Sequence, residues 1–160
     1  MKIEFINLKE VDVNLQLEVR DWRNSEHVTK FFQIPYIELE THKKWLKSLY
    51  LENPRNIAFL IKVGSDYSGL VYFSNINLHE KTTDFGIYIY KTNLRGLGVG
   101  KFTLDWAIKY AKNEIGVDRI RLEVLSNNLN AKSLYEKSGF YYTGSKSSDI
   151  FCYELNLNRK

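Results

Sequence analysis

The segment Arg95-Gly96-Leu97-Gly98-Val99-Gly100 constrains this chain more than any other. It reads as a glycine-rich turn leading into a long helix, expected from about Val99 to Glu114. A helix start leaves backbone N–H groups unpaired, and the helix dipole adds positive potential there. Glycines at 96, 98 and 100 let the oxygens of an anion reach the main chain, so the turn suits a pyrophosphate. Two familiar phosphate loops do not fit. A Walker loop needs a glycine where Arg95 stands and a Ser or Thr where Phe102 stands. A dinucleotide turn needs a glycine at Lys101. On this segment alone, a connection that binds nothing stays open.

A second motif follows one expected strand later: Asn128-Leu129-Asn130-Ala131-Lys132-Ser133-Leu134-Tyr135, closed by Gly139-Phe140. It reads as a helix carrying a tyrosine just before a Gly-Phe turn. Around the two motifs the expected order is a strand over about residues 3–8, then a helix with Leu15, Val19 and Trp22 on one face, ending at Asn24-Ser25. A short helix is expected over Glu26 to Phe32. A third helix has His42, Trp45, Leu46, Leu49 and Tyr50 on its apolar face and stops at Asn53-Pro54. Strands Ile57–Val63, Gly69–Ile76 and Thr83–Tyr90 read as an antiparallel meander. In the long helix Phe102, Trp106 and Tyr110 line one face, and Leu104, Ile108 and Ile115 another. Asp118–Leu125 alternates as a strand, and Phe140 to Leu157 makes a last strand pair. A strand–turn–helix–strand unit inside an antiparallel chain implies an α/β (α+β) fold on a mixed sheet.

The bulk properties bound the function. At 160 residues, 44% apolar and 14% aromatic, the chain is globular and is expected to form one domain, residues 1–160. No apolar run is long enough for a bilayer. Glu4 interrupts the apolar start Met1-Lys2-Ile3-Glu4-Phe5, so no signal peptide is expected. No membrane partner and a cytoplasmic location are therefore expected. The net charge of +4 is not gathered into a basic tract, so nucleic acid is not expected, while a polyanionic small molecule is. The single cysteine, Cys152, lies in Ile150-Phe151-Cys152-Tyr153 and reads as a small buried hydrophobe rather than a nucleophile. No cluster has metal-ligand spacing, so no metal is expected.

Arg95-x-x-Gly98-x-Gly100 with the later Asn128-x-x-Ala131-x-x-x-Tyr135-x-x-x-Gly139-Phe140 resembles the GCN5-related N-acetyltransferase (GNAT) family, as does the order of elements from end to end. The resemblance implies acetyl-coenzyme A as donor, a primary amine as acceptor, and direct attack without an acyl-enzyme. It implies a mostly antiparallel sheet with a splayed parallel pair, here Thr83–Tyr90 and Asp118–Leu125, as the cleft for the pantetheine arm. The residues it assigns to acetyl-coenzyme A are Ile87, Tyr88, Ile89, Arg95, Gly96, Leu97, Gly98, Val99, Gly100, Lys101, Asn128, Ala131 and Tyr135. A backbone N–H near Ile87–Ile89 would meet the oxyanion. Trp22-Arg23-Asn24, Gly69-x-x-x-Phe73-x-Asn75-Ile76 and Asp84-Phe85-Gly86-Ile87-Tyr88 are similar to one subgroup, the UDP-linked aminosugar N-acetyltransferases of pseudaminic acid biosynthesis.

An ammonium cannot attack a thioester, so the acceptor needs a base. Glu123 fits that position in the family. Arg119, Arg121 and Glu123 share one strand face, so a Glu123 paired with Arg121 on a wet face is the competing expectation. Asp84 and Glu40 are lesser candidates. Tyr135 is placed to protonate the departing thiolate, against packing in a chain with 11 tyrosines. Asn128 is expected to cap its helix or to contact pantetheine. For the acceptor the candidates are Arg23, Asn24, His42, Tyr72 and Tyr88, with Tyr36 and Tyr90 beside them. His42, on an apolar helical face, reads first as a satisfied histidine packed at the cleft edge and only second as a base. The leading reading is a nucleotide-sugar amine acetyltransferase. A protein N-terminal or polyamine acetyltransferase is the second, and a non-catalytic acyl-coenzyme A sensor the third. A homodimer is compatible with each.

Overall fold

The computed structural model describes residues 1–158. Strand β2 (Ile57–Val63) is apolar almost throughout because both its faces are covered, Ala58 and Leu60 by one cluster and Phe59 and Ile61 by another. It pairs antiparallel with β1 (Ile3–Asn7) and β3 (Asp66–Asn77), and β3 pairs antiparallel with β4 (Thr82–Ile89). Helices α1 (Val13–Asn24), α2 (Glu26–Thr29) and α3 (Leu39–Ser48) lie between β1 and β2 in the chain. Helix α4 (Val99–Tyr110) crosses over to β5 (Arg119–Leu125), which runs parallel to β4 as such a crossover allows. Helix α5 (Leu129–Lys137) and strands β6 (Tyr141–Ser147) and β7 (Ile150–Asn156) complete the order. The seven strands form one sheet, β1-β2-β3-β4-β5-β7-β6, the GNAT fold expected from the motifs.

Helices α4 and α5 cover one face, where Val99, Leu104, Ala107 and Ala111 pack with Ile61, Phe73, Phe85, Ile120 and Leu122. Helices α1 and α3 cover the other, where Val19, Trp22 and Leu46 pack with Leu60, Leu70 and Tyr88. That second cover reaches only as far as β4. On the same face, β5 presents Arg119, Arg121 and Glu123, and their strand partners on β7 include Glu154 and Cys152.

Only three rungs join β4 to β5: Thr82 to Arg119, Thr83 to Ile120 and Asp84 to Arg121. Beyond Asp84 the two strands separate, while β4 keeps its pairing to β3 as far as Ile89. The inner edges past that point carry backbone donors and acceptors with no strand partner. Such groups are costly unless water or a ligand satisfies them.

Several expectations shift. The short helix ends at Thr29, and an irregular strap over 30–38 replaces its second half. The most buried face of α4 is Val99, Thr103, Leu104 and Ala107, whereas Phe102 is 51% exposed and only leans on Phe5. The last turn of the long helix, Ala111–Ile115, widens into a π-turn closed by Gly116 in the left-handed region. Tyr50 leaves the α3 face because the helix ends at Ser48, and its hydroxyl accepts a 2.7 Å bond from Gln16 Nε2. Cys152 is half-buried rather than buried, since no helix covers its face of β7.

Candidate active site

The divergence of β4 and β5 opens a cleft of about 1400 Å³ that runs through the sheet from one face to the other. The turn Arg95–Lys101 and the start of α5 form one rim, and the α1–α2 corner with the strap forms the opposite one.

On the α4 side, Gly98 is the helix N-cap with φ +79° and Gly96 has φ +78°, conformations that L side chains rarely adopt. A methyl group added at either would meet nothing within 4 Å, so the space above the helix start is open. No side chain caps this N-terminus. Free N–H donors, a helix dipole and open space fit the pyrophosphate of a coenzyme. Arg95, Gly96, Gly98, Gly100 and Lys101 line the cleft, and Lys101 is also paired with Asp105 at 2.7 Å. Leu97 points out, 54% exposed, and Val99 is buried in the core, so neither lines the cleft. Ile87, Tyr88 and Ile89 form its floor on β4. Asn128 both lines the cleft and caps α5, its Oδ1 accepting from Ala131 N at 3.3 Å; Ala131 lines the cleft too.

Tyr135 projects from α5 into the core between Phe85 and Phe140 and reaches the cleft. Burial pushes its phenol pKa well up, with Tyr72 nearby adding to the rise. The hydroxyl therefore keeps its proton at neutral pH and remains a donor. Tyr72 lies on the other face, its ring laid across Gly86 of β4, and burial pushes it up to about 12 against the pull of Arg23. Tyr88 is raised further, chiefly by burial, and its hydroxyl donates to Val19 O at 3.4 Å.

Glu123 lies past the last rung of the parallel pair, on the face opposite Leu122 and Val124. The ion pair with Arg121 weighed above does not form. Arg121 turns to Asp84 at 3.2 Å, and Asp84 also accepts from Asn75 Nδ2 at 2.7 Å. Glu123 instead meets Lys146 Nζ at 3.5 Å through Oε2 and accepts from Gln33 Nε2 at 2.8 Å through Oε1. Tyr135 and Glu123 thus approach one slot from opposite faces of the sheet.

The acceptor candidates divide. Arg23, Tyr72 and Tyr88 line the cleft, but Asn24 and His42 do not. The Asn24 amide clamps the backbone of Ile37, donating to its oxygen at 3.0 Å and accepting from its nitrogen at 2.7 Å. His42 is buried and donates from Nε2 to Gln16 O at 2.8 Å, and burial lowers its pKa. Tyr36 is exposed and bonded to Arg20, Tyr90 stacks on Trp22, and Glu40 pairs with Lys43 on the outside of α3. Arg23 reaches the end of α2 and the strap: Nη1 donates to Thr29 Oγ1 and Nη2 to Ile34 O, each at 2.8 Å, with its guanidinium 3.9 Å over Phe32. Sequence reasoning missed His27, Phe31, Gln33, Lys146 and Cys152 as cleft residues. Only the polar Gln33 within Phe31-Phe32-Gln33-Ile34-Pro35 stood out as a signal.

The fold and this slot define a class: a transferase fed from both faces of one sheet. The model of the acetyltransferase (GNAT) family matches residues 17–140. Acetyltransferase PseH of Campylobacter jejuni strain 81-176 is 31% identical over 119 residues, 74% of this chain and 72% of PseH. The crystal structure of C. jejuni N-acetyltransferase PseH in complex with acetyl coenzyme A superposes with a TM-score of 0.74 at 25% identity, covering 98% of this chain and 100% of the other. A spermidine N-acetyltransferase from Vibrio cholerae, solved with CoA and spermine, reaches a TM-score of 0.83 over 97% and 95% of the two chains. Its identity is 17%, so that likeness is one of fold. The chain belongs to the acetyltransferase (GNAT) family and is an acetyl-CoA-dependent N-acetyltransferase. No helix among the described residues is long and apolar enough to cross a membrane, and no group of three or more His, Cys, Asp or Glu there could hold a metal ion.

Proposed function

We propose that the acceptor is the primary amine of a UDP-linked aminosugar. One observation carries this reading. The acidic side chains lining the acceptor face of the cleft each stand against a cation: Asp84 against Arg121 at 3.2 Å, Glu123 against Lys146 at 3.5 Å and Glu154 against Arg119 at 4.0 Å. A polycation would find no unmatched carboxylate there. An acceptor that carries its own negative charge would find Arg23, whose guanidinium is bonded to neutral oxygens, and Phe31, Phe32 and Tyr72 for its rings. The subgroup resemblance and the likeness to acetyltransferase PseH support the same reading.

Acetyl-CoA, when bound, supplies an activated acetyl thioester. The helix start at Gly98–Lys101 holds its pyrophosphate, and the unpaired inner edge of β4 suits an extended amide chain. Backbone N–H groups near Ile87–Ile89 stabilise charge on the carbonyl oxygen during attack. Glu123 takes the amine proton, directly or through one water, and Tyr135 returns a proton to the departing thiolate. Fixing both reactants across one slot lowers the entropic barrier to their meeting.

The test is an acceptor panel with acetyl-CoA: a UDP-linked 4-aminosugar, spermidine and a short peptide with a free N-terminus. The aminosugar should be acetylated fastest, and UDP alone should inhibit competitively against it. Faster acetylation of spermidine or the peptide, with no inhibition by UDP, transfers the assignment to the polyamine or N-terminal class. Absence of turnover across the panel, with a coenzyme that still binds, would place the acceptor outside these three classes and overturn the aminosugar reading.

A further inference from the structure

The strap between α2 and α3 is tied down almost entirely from the α1 side. Arg23 holds Thr29 and Ile34, Asn24 holds both backbone polar groups of Ile37, and Arg20 donates to Tyr36 Oη at 2.9 Å and to Ile37 O at 3.0 Å. Among the side-chain hydrogen bonds of the described residues, one runs from the strap to the far wall: Gln33 Nε2 to Glu123 Oε1 at 2.8 Å, joining positions 90 apart in the chain. Lys146 approaches the other oxygen from β6. Each carboxylate oxygen therefore meets a donor from a different element.

The hydrogen bond at Oε1 and the ion pair at Oε2 restrict rotation of the Glu123 carboxylate, and each oxygen keeps lone-pair capacity for an incoming proton. The amide of Gln33 cannot take up a proton, so it orients Glu123 without competing for the amine's proton. It sits on a segment whose backbone is already ordered by other bonds, so the cost of holding it is that of its own side-chain rotamers. We infer that Gln33 is a positioning residue: its amide sets the carboxylate of Glu123 toward the slot and couples the acceptor wall to the reacting centre. This rests on the reading of Glu123 as the proton acceptor.

The experiment is a double-mutant cycle on the full chain, using acetyl-CoA and whichever amine of the panel turns over fastest. Gln33→Leu removes the donor at similar size, and Gln33→Glu sets a second carboxylate against the first. Gln33 is exposed, so both variants should fold. Each should lower kcat by about ten- to hundredfold, the loss expected from a misplaced reacting group, with the KM for acetyl-CoA unchanged. In a Glu123→Gln background, Gln33→Leu should cause no further loss. If Glu123→Gln abolishes turnover while Gln33→Leu stays within about twofold of the parent in kcat, the role of Gln33 is overturned and that of Glu123 stands. Equal losses in both backgrounds would mean that the strap acts through packing, and a change confined to the acceptor's KM would make Gln33 a substrate contact; either sinks the inference. Parent-like kcat in Glu123→Gln alone removes the base reading and this one with it.

Discussion

At the scale of single residues, the slot separates a hydroxyl, on Tyr135, from a carboxylate, on Glu123, by which face of the sheet each comes from. Tyr135 is buried with aromatic neighbours, and burial keeps its proton in place well above neutral pH. Tyr135→Phe keeps the ring and those contacts while removing the proton. The kcat should fall by about a hundredfold or more, and calorimetry should find the acetyl-CoA Kd nearly unchanged. Turnover within about twofold of the parent would leave the tyrosine a packing residue. The motif around Tyr135 made this candidate legible, because a helix and a Gly-Phe turn are local features. The partner of Glu123 was not legible. Period-two alternation puts Arg121 on its face, but Arg121 is drawn to Asp84 across the last rung of the parallel pair.

At the scale of elements, β4 does more than carry backbone donors. Gly86 pairs with Tyr72 of β3, and a methyl group on Gly86 would land inside the Tyr72 ring. The glycine lets the ring lie flat across the strand at the mouth of the slot. Gly86→Ala should therefore push the ring away and cost about 1–3 kcal/mol in a denaturant titration. In a Tyr72→Ala background the same glycine substitution should cost much less, because the two residues share one volume. Strictly additive effects would show that the ring does not depend on the glycine. The strap shows the converse lesson. Its sequence reads as the end of a short helix, yet Arg23, Arg20 and Asn24 of α1 capture its backbone one turn earlier. Arg23 thereby becomes a scaffold for the acceptor wall. Its two terminal nitrogens and its planar face are all in use, a combination that lysine cannot reproduce.

At the scale of the whole molecule, two apolar clusters cover the opposite faces of the sheet, and His42 is buried on α3 beside one of them. Burial lowers its pKa from 6.5, with the Gln16 carbonyl bond acting against that and Arg20 with it. The unfolded chain then binds a proton below about pH 6.5 where the folded one does not, so stability is lost as pH falls from there through the folded value. His42→Gln can still donate to Gln16 O and does not titrate. Its Tm should drop less than that of the parent between pH 7.5 and pH 5.5. Parallel curves for the two proteins would place the acid sensitivity elsewhere.

The sequence by itself determined what depends on neighbours in the chain. The glycine-rich helix start, the Asn128 cap, the alternation of β5 and the doubly buried run of β2 are local patterns, and each stands where it was expected. Their order implied the mixed sheet, and the family resemblance implied the splayed pair. Tertiary structure alone decided what depends on contacts between distant segments. Parallel pairing stops after three rungs, leaving an open inner edge. Arg23 and Asn24 bond the strap, Cys152 borders the cleft, and Gln33 meets Glu123 across 90 positions. A residue's periodicity reports which face of its own element it occupies. It carries no information about which other element covers that face, and the acceptor side of this slot is built wherever that cover ends.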